Sequence, residues 1–131
     1  MASWECIQEC VADPSIRLVL KRQPHILAEY EAYMEHVEKS YTKYSDYIIE
    51  TFLTSTKITF SLNKFPYNVA HGINHYNIWS YIALSSDEIT TELAKYFEDP
   101  YEPLWFVNEP SMMSVPEVWH CHVFSRQSCS V

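Results

Sequence analysis

The chain has one glycine, Gly72, among its 131 residues. Loops that cradle nucleotide phosphates need several glycines, because the backbone must turn tightly and approach the phosphates closely. A nucleophile elbow of the Gly-x-Ser-x-Gly type needs two. The composition therefore excludes mononucleotide- and dinucleotide-binding glycine loops and the hydrolases built on such an elbow.

Positive charge is scarce as well. Lys and Arg number 9 against 17 Asp and Glu, which gives a formal net charge of −8. Non-specific nucleic-acid binding depends on Lys and Arg neutralising phosphates, so this balance argues against it. A chain this acidic is typical of proteins that stay in solution or meet a basic partner surface.

Two further absences bear on location. The four cysteines form no Cys-x-x-Cys pair, and Cys6 and Cys10 are spaced one helical turn apart. This usage is typical of reduced, intracellular thiols. No apolar run is long enough to cross a bilayer, and the N-terminal residues lack the basic and apolar regions of a signal peptide. We therefore expect an intracellular protein of the cytoplasm or nucleus with no membrane contact.

The residues that are present predict one α+β domain over 1–131, with N-terminal helices packed on a mostly antiparallel sheet of about four strands with one inserted helix. Residues 1–55 are predicted as helical. Ser3 caps a first helix that ends near Val11, and residues 14–22 follow Asp13 as a second. Apolar residues at spacings of three and four then predict a long amphipathic helix from Pro24, with a break near 40–45.

Residues 56–126 are predicted as the sheet with its inserted helix. Alternation of apolar and polar residues indicates strands at 58–62, 73–81, 104–108 and 118–125. Ser85 and Glu88 have the spacing of a capping box, which predicts a helix from there to about Phe97. Residues 127–131 are expected to be a tail.

The last strand carries the clearest candidate site. Side chains two apart share a face of a strand, so His120 and His122 lie together, while Trp119, Cys121 and Val123 form the opposite, core face. Four interpretations of the histidine pair stay open. The two imidazoles are a catalytic pair, two metal ligands, half-buried histidines bonded to backbone or carboxylates, or groups that bind the polar atoms of a partner.

Other residues are predicted to complete this site. His75, Asn77, Asn108 and Arg126 are the candidate ligand-binding residues, with His75 as the third zinc ligand beside His120 and His122 if a metal is bound. No other cofactor is expected. Further candidates for contacts with an anion or ligand are Lys21, Arg22, Lys64, Ser111, Ser114 and the Met112–Met113 loop. The aromatic residues of the 65–67 turn and Trp79 either form a wall against a ligand ring or plug the core, and we favour the core.

Three blocks resemble a known family of unknown function. They are LKRQPHILAEYEAYMEHVEKSYTKYSDYIIETFL (20–53), FPYNVAHGINHYNIWS (65–80) and LWFVNEPSMMSVPEVWHCHVFSR (104–126). The resemblance is to an uncharacterised family known mainly from fungi, with members in large DNA viruses of protists. It implies no activity.

The order of NHYNIWS, DEITTELAKYF, WFVN and WHCHVF also resembles, more weakly, the histidine-triad superfamily of nucleotide hydrolases and transferases. That resemblance implies that His120 is the nucleophile, His122 the third histidine and Asn108 the Asn at the end of a strand. Val118 stands where the first histidine of the triad would be, which puts turnover in doubt.

Three functions follow. The first is an interaction protein, with a viral origin as one option, that meets a host or viral protein through its acidic helical face at Glu29, Glu35 and Glu38. A homodimer is a further expectation. The second is a histidine-lined groove that binds or hydrolyses a nucleotide or phosphate ester, and the third is a structural zinc domain. Whether the chain is an enzyme stays open.

Overall fold

A computed structural model describes residues 1–54, 56–108 and 118–127. The fold class is α+β, as the sequence predicts, with the helices mostly first and an antiparallel sheet after them. The elements in chain order are α1 (Trp4–Ala12), a 3-10 helix (Pro14–Val19), α2 (Pro24–Ser40), α3 (Tyr44–Phe52), β1 (Ile58–Leu62), β2 (Asn74–Ser80), α4 (Ser86–Leu93), β3 (Leu104–Phe106) and β4 (Trp119–Ser125).

The helix starts follow their predicted capping signals. The Ser3 side chain accepts a hydrogen bond from the Cys6 N–H at 3.1 Å. Ser85 and Glu88 form both bonds of the capping box, at 3.0 and 3.2 Å. These bonds satisfy N–H groups that have no partner within the helix. The predicted break in the long helix is confirmed at residues 41–43, between α2 and α3.

The second helix is the main local difference from the prediction. It is a 3-10 helix that ends at Val19, whereas the sequence predicts a helix over 14–22. Arg17 anchors this segment, because its guanidinium donates to the backbone carbonyls of Cys10, Val11 and Val107. The side chain thus holds this turn against the end of α1 and the end of β3.

The sheet has the order β1-β2-β4-β3, and every neighbouring pair of strands is antiparallel. β2 and β4 are therefore the two central strands. Their register places Asn77 opposite His122 and Trp79 opposite His120. Two polar segments that are far apart in the chain become neighbours on one face.

One face of the sheet is apolar and packs against α4. Cys121 and Val123 of β4 are fully buried there, which confirms the predicted core face of this strand. The other members of this cluster are Phe60, Tyr76, Ile78, Leu84, Ile89, Leu93 and Phe97.

The opposite face carries the histidines, and it is buried too. α1 packs on one end of it through Trp4, Ile7 and Cys10, and α3 packs on the other end with Ile48. His75, Asn77, His120 and His122 lie between these two apolar clusters, with 2 to 7% of their surface exposed. In the described ranges no helix is long and apolar enough to cross a membrane.

Candidate functional site

Two buried imidazoles form the centre of the site. The backbone N–H of Tyr67 donates to His75 Nδ1 at 3.2 Å, so His75 Nδ1 is an acceptor and its proton is on Nε2. His75 Nε2 lies 2.9 Å from His122 Nδ1 and therefore donates to it. A neutral His122 must then carry its own proton on Nε2.

A chain of amides supports His122 from the side of β1. The Phe65 N–H donates to Asn63 Oδ1 at 2.8 Å, and Asn63 Nδ2 donates to Asn77 Oδ1 at 2.7 Å. Asn77 Nδ2 is 3.5 Å from His122 Nδ1, a long contact in the same direction. Because each acceptor in this chain is fixed by the donor before it, the orientation of both amides is determined.

His120 has the opposite tautomer. Its Nδ1 is 3.0 Å from the carbonyl oxygen of Val118, which can only accept, so Nδ1 carries the proton and Nε2 has a lone pair. The ring packs on Trp79 at 4.7 Å between centroids and meets His122 edge-on at 5.7 Å. His120 and His122 therefore present unlike Nε2 atoms, one an acceptor and one a donor.

Burial keeps all three histidines neutral. It is the largest cause of the lowered pKa of His75, His120 and His122, because a low-dielectric environment disfavours the charged ring. The pKa of His122 falls to about 3, and neighbouring His120 and the positive charge of Arg22 contribute to that shift. The donor and acceptor roles above are therefore the ones that hold near neutral pH.

A cavity of about 80 Å³ opens beside the histidines, between the sheet, α2 and α3. This is room for several waters or for a small polar group. The Nε2 atoms of His120 and His122 have no hydrogen-bond partner in the described ranges. Neither atom is fully enclosed, so each keeps some contact with solvent. Since His120 and His122 both line the cavity, that is where we place their remaining solvent contact. Its aromatic wall consists of Tyr30, Tyr33, Tyr44, Tyr47, Phe52, Phe65 and Trp79.

The charges that line the cavity have one sign. Arg22 lies over the Tyr30 ring at 4.0 Å, with its Nε donating to the Phe65 carbonyl, and the Lys64 ammonium lies over the Tyr33 ring at 4.1 Å. No Asp or Glu is among the described lining residues. In the part of the chain that the structure describes, neither cation has a carboxylate within ion-pair distance. Both charges are available to an anion.

The predicted site residues fall into two groups. His75, Asn77, His120 and His122 come together, and Arg22 and Lys64 join them at the cavity. Arg126 lies elsewhere, with its guanidinium 4.4 Å from the centre of the Trp4 ring, and it lines a separate depression beside α1. Asn108 and Lys21 are also absent from the cavity lining, and Asn108 Oδ1 is enclosed with no hydrogen-bond partner among the described residues. Ser111, Ser114, Met112 and Met113 lie outside the described residues.

The zinc set predicted from His75, His120 and His122 does not assemble in the described ranges. No group of three or more His, Cys, Asp or Glu side chains is placed there to hold a metal ion. The hydrogen bonds explain this, because a metal ligand needs a free nitrogen lone pair. His75 Nδ1 uses its lone pair for the Tyr67 N–H, and its Nε2 proton binds His122.

The sequence interpretation missed the tyrosines as site residues. Tyr30 and Tyr33 of α2 and Tyr44 and Tyr47 of α3 lie on the apolar stripe of the predicted helix, which is normally core. Their hydroxyls were a usable signal, because a purely structural stripe has little need of four phenols. Burial is the first cause of the raised pKa of Tyr44, so this phenol stays protonated and can donate.

Comparison with known proteins gives a family and a fold. A family model described as a protein of unknown function, DUF3605, matches residues 3–126. An uncharacterized protein of Saccharomyces cerevisiae, YPL067C, is 33% identical over 91 residues, which cover 56% of this chain and 46% of that protein. This chain thus spans less than half of that relative's length. The crystal structure of HTC1 superposes with a TM-score of 0.71 at 22% identity, over 95% of this chain and 84% of that one, which shows a shared fold.

Proposed function

We propose that this chain, which belongs to the DUF3605 family of proteins of unknown function, binds a small oxyanion in the cavity between the histidine face of the sheet and helices α2 and α3. The ligand is a phosphate or the phosphate group of a larger molecule. Three predicted residues, Asn77, His120 and His122, line the inner part of this cavity. His75 lies behind them on His122, and Arg22 and Lys64 supply the positive charge.

The charge pattern carries the proposal. The protein as a whole has a formal charge of −8, yet the described lining of this cavity has two cations and no carboxylate. Anions bind where positive charge and N–H or O–H donors converge at a partly buried site, since low dielectric strengthens their attraction. The phenols around Arg22 and the Nε2–H of His122 are such donors.

Titration calorimetry with inorganic phosphate tests this proposal. Arg22→Gln and Lys64→Gln should each weaken phosphate binding by about 10-fold or more, because a charge-assisted hydrogen bond contributes roughly 1.5–3 kcal/mol. Arg126→Gln and Lys57→Gln are the matched controls, since neither residue lines the cavity, and both should bind like the wild type. Equal losses in all four variants would mean that only net charge matters, and the proposed site would be rejected.

A catalytic version of this site has its own test. His120 Nε2 has a free lone pair in the described part of the chain, as a nucleophile or base needs, and the weak likeness to histidine-triad proteins assigns it that role. The hypothesis is hydrolysis of a phosphate ester or phosphoanhydride. His120→Asn should abolish turnover of a nucleotide panel without unfolding the protein. If the wild type turns over none of the panel, binding alone remains.

An interaction function remains the alternative proposal. Glu29, Glu31, Glu35 and Glu38 are exposed on α2, and none has an ion-pair partner in the described ranges. Such a face suits a basic protein partner. Lys substitution at Glu35 and Glu38 should weaken a co-purified complex at low salt while phosphate binding is retained. If the complex is unchanged in this variant, the acidic face of α2 is excluded as the interaction surface.

A further inference from the structure

We infer that the cavity selects an oxyanion that still carries an O–H group, such as hydrogen phosphate or hydrogen arsenate, over a fully ionised oxyanion such as sulfate. The inference rests on the proposed function and specifies its ligand class. It follows from the unlike tautomers of the two histidines that line the cavity.

The donor half of the pair is His122. Its Nδ1 accepts from His75, whose own tautomer is fixed by the Tyr67 N–H, so the proton of neutral His122 is on Nε2. The amide of Asn77 approaches the same Nδ1 and favours the same arrangement. Every oxyanion has an unprotonated oxygen, and that oxygen can accept a hydrogen bond from this Nε2–H.

The acceptor half is His120. Its Nδ1–H is held by the Val118 carbonyl, so its Nε2 lone pair needs a donor, and no described residue supplies one. A bare oxyanion oxygen facing this lone pair would repel it and leave it without a hydrogen bond, which is costly at a buried site. His120 has 4% of its surface exposed and lines the cavity, so a ligand that fills the cavity would displace the water that could donate to Nε2. A ligand O–H resolves the conflict by donating to Nε2.

Protonation of His120 is the other way to resolve the conflict, and its surroundings oppose it. Burial lowers the pKa of this ring, and the charged groups of the cavity are the cations Arg22 and Lys64. Burial raises the pKa of Tyr44, so this phenol is neutral at pH 7.5, and His122 is neutral as well. No carboxylate lines the described part of the cavity to stabilise an imidazolium.

The decisive experiment compares inorganic phosphate, arsenate and sulfate by titration calorimetry at pH 7.5 and constant ionic strength. Hydrogen phosphate and hydrogen arsenate each keep one O–H at this pH, while sulfate keeps none. Wild-type protein should bind phosphate and arsenate about 10-fold or more tighter than sulfate. Equal binding of all three, still dependent on Arg22, would overturn the selectivity and leave the anion-binding function standing. Binding of none of them would reject both.

His120→Phe isolates the acceptor. The phenyl ring keeps the packing on Trp79 and removes the lone pair, so the preference for phosphate over sulfate should fall to near 1. An unchanged preference in a folded variant would overturn the role of His120. If this variant does not fold, the wild-type ratio of phosphate to sulfate affinity decides alone.

Discussion

His75 and His122 lie 47 positions apart in the chain and share a 2.9 Å hydrogen bond between two buried imidazoles. His75 donates and His122 accepts, because the Tyr67 N–H occupies the other nitrogen of His75. The Tyr67 ring packs on both imidazoles, with centroids 4.7 and 5.3 Å away. The Tyr67 N–H therefore sets the tautomer of His75, and through it the tautomer of His122, whose protonated Nε2 is the donor at the cavity.

Stability should fall as the solution is acidified from pH 7 to pH 5. The folded protein lowers the pKa of His75 and His122 below the ordinary value of 6.5, so the unfolded chain binds more protons in this range. Stability attributable to neutral histidine is thus complete above pH 6.5 and is lost as pH falls toward the folded pKa, about 3 for His122. For His122 this loss should amount to about 2 kcal/mol between pH 7 and pH 5, and His75 should add to it in the same direction.

Urea unfolding at pH 5 and pH 7 measures this loss. His122→Gln should reduce the pH dependence by about the share of one histidine, whatever its effect on stability at pH 7. His36→Gln, at an exposed position of α2, is the control and should leave the dependence as in the wild type. An unchanged dependence in His122→Gln would show that His122 takes up a proton in the folded state.

Replacing His75 should destabilise the protein by more than the change in side-chain volume would explain. His75→Leu leaves the Tyr67 N–H and His122 Nδ1 without their partner in a buried environment, at about 1–3 kcal/mol for each unsatisfied group. His75→Gln can keep one donor and one acceptor and should be milder. His71→Leu, at an exposed turn position, should change stability by less than about 0.5 kcal/mol. Equal stability of the Leu and Gln variants at 75 would contradict the role of the hydrogen bonds.

A substitution on the apolar face of β2 should lower stability without changing phosphate binding on the opposite face. Ile78 is fully buried on the apolar face, and truncation to Ala should cost about 2–5 kcal/mol in urea unfolding. Ile82→Ala is the control because 63% of that residue is exposed, and it should cost little. Folded Ile78→Ala protein should keep its phosphate affinity, since the cavity lies on the opposite face. A parallel loss of affinity would mean that the cavity depends on that core.

Much of the site was predictable because a strand has a period of two. That period puts His75 and Asn77 on one face of β2, and His120 and His122 on one face of β4. The helix starts at Ser3 and Ser85 were predictable for a similar reason, since capping is local chemistry. Both kinds of inference depend only on residues a few positions apart.

The roles of these residues were not predictable in the same way. Arg126 directly follows the histidine strand, yet it packs on Trp4 instead of turning toward the histidines. Arg22 belongs to the segment before α2, yet it reaches the cavity. Arg126 was predicted in the site because it follows the histidine strand, whereas Arg22 was one of several candidate contacts for an anion. The sequence could not separate them, because these contacts depend on how helices pack on the sheet.

Local periodicity and capping predicted the α+β class, the helix starts, the strands and the grouping of polar residues on one strand face. The register of β2 against β4, which joins His75 to His122, emerged only from the folded chain. The tertiary structure also decided that α1 and α3 cover the histidine face and that the tyrosines of α2 and α3 line a cavity. The physical reason is that tautomers, burial and cavity charge depend on contacts between distant segments, and those contacts are fixed by packing.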